Sequence, residues 1–65
     1  MDQVRYYKDA NGEYRWRRLD MQNHKKVGGS TEGYASKEHM IENAQRVNGP
    51  KSESLDYIDL TLDDD

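Results

Sequence analysis

Asn11-Gly12 lies between two runs of β-forming residues and limits the folds open to this chain more than any other feature. Both residues tolerate positive φ, so the dipeptide turns a chain back on itself. "VRYYK" (Val4–Lys8) precedes it and "EYRWRRL" (Glu13–Leu19) follows, each rich in β-branched or aromatic side chains. Side chains alternate across a strand. Val4 and Tyr6 therefore share one face of the first strand, with Arg5 and Tyr7 on the other. In the second, Tyr14, Trp16 and Arg18 oppose Glu13, Arg15, Arg17 and Leu19. The spacing predicts an antiparallel hairpin.

A weaker third strand is expected over residues 25–29, "KKVGG", after a polar corner at Asn23-His24. Val27 is its apolar anchor, and Gly28-Gly29 points to a bulge or a close backbone approach. Ser36 suits a helix N-cap, and Glu38 complements the positive end of the helix dipole. Met40, Ile41, Ala44 and Val47 then recur at helical spacing, and Asn48-Gly49-Pro50 ends the run. The expected fold is α+β: a three-stranded antiparallel sheet plus one helix (βββα) over residues 1–50. Tyr6, Tyr14, Trp16, Val27, Met40, Ile41 and Val47 are its expected core.

Residues 51–65 form an acidic C-terminal tail. Within 55–62, Ile58, Leu60 and Leu62 alternate with Tyr57, Asp59 and Thr61, the period of a half-buried strand. An extra C-terminal strand is expected there. Ile58, Leu60 and Leu62 would be buried against a sheet or a second subunit, and Tyr57, Ile58, Leu60 and Leu62 would form a partner or dimer interface. The rival readings are an acidic mimic of nucleic-acid phosphate and a loose tail. The segment also resembles a SUMO-interacting motif, which adds a strand to a partner's sheet edge.

Sixty-five residues bury little core, and a single core of this size rarely supplies more than about 3–5 kcal/mol. Without cysteine there is no disulfide to help, and His24 and His39 have no thiols to join them around a metal. Oligomerisation remains, so a homodimer is expected. No apolar run approaches the roughly 20 residues of a membrane helix. The start, "MDQVRYYKD", lacks the basic-then-apolar pattern of a secretory signal. A cytoplasmic protein without membrane contact is the expectation.

The charge is uneven. Residues 1–51 hold all ten Lys and Arg against seven acids, whereas residues 52–65 hold six acids and no base. In "YRWRR", Arg15 and Arg17 with Lys25 could hold nucleic-acid phosphates while aromatics stack on bases. The plainer reading puts Tyr14 and Trp16 in the core and the arginines on a wet face, and a net charge of −3 favours it. "GGSTEG" lacks the Lys-Ser/Thr ending of a phosphate loop. No catalytic set, cofactor or metal is expected.

"YYKDANGEYRWRR" and "TEGYASKEHMIENAQRV" together resemble the small YegP-like family, a domain of unknown function. The likeness covers residues 4 to 47. It implies a βββα unit that occurs as tandem repeats or as paired single repeats, so a one-repeat chain would dimerise. Asn23-His24 stands where members often carry Asn-Gly, and Asn43-Ala44 where they carry Gly-Ile. The tail lies outside the pattern. These readings lead to a non-enzymatic interaction module that binds a protein partner, with nucleic-acid binding or mimicry as the alternative.

Overall fold

In the computed structural model, which describes residues 1–61, the hairpin forms from β1 (Asp2–Lys8) and β2 (Tyr14–Asp20). Their antiparallel register sets Tyr6 opposite Trp16 and Arg5 opposite Arg17. The turn has a three-residue loop. The Asp9 amide donates to the Glu13 carbonyl (2.9 Å), and the Gly12 amide donates to the Asp9 carbonyl (3.0 Å). Gly12 alone takes positive φ, at 79°, while Asn11 is held by its amide donating to Asp9 Oδ1 (2.9 Å). This is a type I turn closed by a left-handed glycine, a common way to join two twisted strands. At the next corner His24 adopts φ 60°, a left-handed conformation that costs a side chain with a Cβ.

β3 (Lys25–Gly29) pairs antiparallel with β2, with a bulge: Arg18 faces Gly28 while Leu19 faces Lys26. Val27 is the extra residue of that bulge, so it is 56% exposed and not the expected core anchor. Farther on, Tyr14 and Tyr34 exchange both backbone hydrogen bonds. Gly33 permits this approach, because a Cβ there would lie 2.7 Å from the Glu13 Cβ.

α1 (Lys37–Asn48) starts at Ser36, whose hydroxyl accepts from the His39 amide, and stops at Gly49, with φ 88°. Twelve residues make a rod of about 18 Å. The rod crosses one face of the sheet and delivers the chain to the far side of β1. There β4 (Leu55–Asp59) pairs with β1 in parallel, giving the order β3-β2-β1-β4. The sheet is thus four-stranded and mixed: the three antiparallel strands of the βββα expectation are joined by the expected extra C-terminal strand, which lies parallel to β1. A parallel neighbour needs a crossover connection, and α1 provides it.

The core lies between α1 and the sheet: Val4, Tyr6, Trp16, Met40, Ala44 and Leu55, with Tyr14, Tyr34, Ile41 and Tyr57 packed around it. Asn43 accepts a 2.7 Å hydrogen bond from the Trp16 indole N–H, so the buried ring leaves no orphan donor. Val47, expected in the core, is 62% exposed. The sheet-facing place in the last helical turn goes to Asn48, which donates to the Ala44 carbonyl and accepts from Arg18.

Met40 is fully buried. Met40→Ala should cost about 2–5 kcal/mol, comparable with the whole stability of a domain this small. Chemical denaturation should find the variant largely unfolded at 25 °C. His24→Gly should instead raise the melting temperature by relieving the left-handed residue.

Candidate partner-binding surface

Among the described residues, α1 covers one face of the sheet and leaves the other bare. The bare face follows from strand alternation: Gln3, Arg5 and Tyr7 on β1, Arg15, Arg17 and Leu19 on β2, Lys26 on β3, and Asp56 and Ile58 on β4. Arg5, Tyr7, Arg17, Leu19 and Ile58 are each half-buried by their neighbours. The surface is a flat cationic platform with two apolar flanks.

Its cations differ in their partners. Arg15 is anchored to Asp9 by a 2.7 Å ion pair. The backbone amide of Glu13, then the Arg15 guanidinium, hold the Asp9 carboxyl below its ordinary range, and Asp9 in turn raises Arg15. Arg5 Nε donates to Gln3 Oε1 at 2.7 Å. Arg17 stacks over the Tyr7 ring with its guanidinium carbon 4.8 Å from the centroid, and its buried Nε has no hydrogen-bond partner among the described residues. Arg5 and Arg17 stand directly opposite each other, and among the described residues neither forms an ion pair. Like charges placed opposite destabilise a sheet. This pair is therefore an uncompensated cost within the described residues.

Lys25, grouped with Arg15 and Arg17 from sequence, is opposite Asp20 and belongs to the helix side of the sheet. Arg5 and Tyr7 take its place on the platform. Alternation had already put those two on one face, and the missing signal was the register that sets Arg5 against Arg17. His24 and His39 are both exposed, one in the β2–β3 corner and the other in the first helical turn.

β4 departs furthest from expectation. Its helix side carries Leu55, Tyr57 and Asp59, the opposite parity from Ile58, Leu60 and Leu62. Leu55 is buried, Ile58 lies half-buried beside Arg5 on the bare face, and Leu60 follows the strand and is 46% exposed. Leu62 lies outside the described residues. The Tyr57 hydroxyl donates to the Gly49 carbonyl at the helix end. At the other end of α1, Lys37 meets Asp59 at 2.7 Å, and Thr61 gives Asp59 two more hydrogen bonds. Burial pushes the Asp59 carboxyl up, but Lys37 and Thr61 together outweigh it and leave it below its ordinary range.

The outer edge of β4 is also engaged. Ser52 and Leu55 exchange backbone hydrogen bonds, and Asp56 Oδ1 accepts from the Tyr57 amide. Such local caps discourage the addition of a foreign strand. Comparison with known proteins finds no matching family model, curated protein or solved structure.

A carboxyl whose pKa is lowered by folding stabilises the fold above its unfolded pKa, and that stability is lost as pH falls through the folded pKa. Asp9 and Asp59 both have this sign. The melting temperature should therefore fall as pH drops below about 4. Asp59→Asn should lower it at neutral pH and flatten its acid dependence, as thermal scans between neutral and strongly acidic pH will show.

Proposed function

We propose that this chain is a non-enzymatic interaction module whose working surface is the bare sheet face, and that it binds an acidic segment of a protein partner. The observation that carries this reading is the Arg5–Arg17 pair, two half-buried arginines opposite each other, neither of them ion-paired among the described residues. A planar guanidinium recognises a carboxylate with two parallel hydrogen bonds. A partner carboxylate would convert a repulsive pair into a bridged one. Ile58 and Leu19 on the same face fit a segment in which apolar and acidic residues alternate.

The nucleic-acid alternative has less support. Tyr7 is the one aromatic that alternation places on this face among the described residues, and Arg17 already covers its ring. Stacking of bases needs an open ring. Homodimerisation also has less support than the core size alone gives it. The outer edge of β4 is capped, and two bare faces meeting would oppose arginine to arginine. The YegP-like resemblance assigns no functional role to any residue of this surface.

The test is a titration at low salt of the full chain with acetylated hexa-aspartate, and separately with a mixed-sequence single-stranded oligonucleotide, followed by NMR of the arginine Nε–H groups. Hexa-aspartate should shift Arg5 and Arg17, and an Arg5→Gln/Arg17→Gln variant should bind at least about tenfold more weakly, as loss of charge-assisted hydrogen bonds implies. Preferential binding of the oligonucleotide would transfer the surface to the nucleic-acid reading. Light scattering should give a mass near 7.6 kDa. Twice that mass would restore the dimer.

A further inference from the structure

The bare face is a grid whose rows run across the strands. One row reads Ile58, Arg5, Arg17 and Gly29, and the next reads Asp56, Gln3, Leu19 and Lys26. Gly29 brings no side chain to its row, and a glycine in a strand leaves room for a close approach. Lys26 uses part of that room: a Cβ on Gly29 would meet Lys26 Cε at 3.1 Å and Nζ at 3.4 Å. The Lys26 ammonium group therefore leans along β3 into the row of Arg17, although its backbone belongs to the next one.

Three cations consequently share one row over about 10 Å, the breadth of two strand spacings. Among the described residues, none of Arg5, Arg17 and Lys26 forms an ion pair. Asp56, a carboxylate on the same face, is on the opposite edge of the sheet from Lys26, about 14 Å away. It is also engaged by Lys51 at 3.4 Å. Arg17 stands in the middle and is held there, stacked on Tyr7 with its Nε buried. The Arg5 Nε is occupied by Gln3, which leaves the terminal nitrogens of both arginines for a ligand.

One carboxylate carries a single charge and leaves such a trio in excess. A phosphomonoester carries about −1.5 to −2 at neutral pH and presents three strong acceptor oxygens. We propose that the acidic group recognised by this platform is a phosphorylated side chain of the protein partner, its phosphoryl group seated over Arg17 between Arg5 and Lys26. The inference rests on the binding reading above and names the ligand of that same surface. Ile58 lies beside Arg5 and Leu19 beside Lys26, so both receive apolar residues flanking the phosphorylated one. Inorganic phosphate has nothing to place there.

The full chain is titrated at low salt with three acetylated, amidated pentapeptides, Leu-Ala-X-Ala-Leu, in which X is phosphoserine, aspartate or serine, and separately with inorganic phosphate. The phosphoserine peptide should bind at least about tenfold more tightly than the aspartate peptide, as one further charge-assisted hydrogen bond implies. It should also bind more tightly than inorganic phosphate. Lys26 is exposed, so Lys26→Gln leaves the core untouched. That variant should bind the phosphoserine peptide about three- to fivefold more weakly, the effect of losing an exposed ion pair, and the aspartate peptide almost as before.

Equal affinities for the phosphoserine and aspartate peptides overturn the phosphoryl assignment and leave the platform reading intact. If no acidic probe binds, hexa-aspartate included, the platform reading falls with it. Inorganic phosphate binding as tightly as the phosphoserine peptide overturns the commitment to a protein partner. Phosphoserine binding that Lys26→Gln leaves unchanged overturns the three-cation seat.

Discussion

The attachment of β4 to both ends of α1 is the constraint on which the remaining structure depends. Tyr57 reaches the carbonyl of Gly49 past the helix C-terminus, and Asp59 reaches Lys37 in the first turn. Two contacts near opposite ends of a twelve-residue helix fix the strand's position and which of its faces looks inward. A slip of one residue would reverse every side chain. Leu55 then closes the core, the Tyr6 and Tyr57 rings meet at 5.8 Å, and Ile58 is turned onto the bare face. One polar arrangement thus sets both the last wall of the core and the composition of the exposed platform.

That platform is costly to a small protein. A second helix laid over it would have removed apolar surface from water at about 25 cal/mol per Å². Instead the chain keeps Arg5 against Arg17 and relieves the crowding only in part, by stacking Arg17 on Tyr7 and giving Arg5 a glutamine. On the helix side Arg18 has a carboxylate: it bonds Asp2 at 2.7 Å and also reaches Asn48. Arg15 on the bare face is likewise paired, with Asp9, so Arg5 and Arg17 are the exceptions among the described strand arginines.

Most of the hairpin and helix was legible because their signals are local. Asn11-Gly12, the alternation around Tyr6 and Trp16, and the Ser36 cap each act over a few residues. Val27 was misplaced because the bulge takes one residue out of the alternation. Val47 was misplaced because Asn48 makes tertiary hydrogen bonds that helical periodicity cannot register. For β4, period two was read correctly and its parity was not. Counting apolar residues favours Ile58, Leu60 and Leu62, whereas an aspartate on the inner side is tolerable only when Lys37 and Thr61 meet it. Those partners are far apart in sequence or depend on the final turn, so no local pattern encodes them. The bare face had the same difficulty: alternation gives its members, and only register shows that two arginines collide.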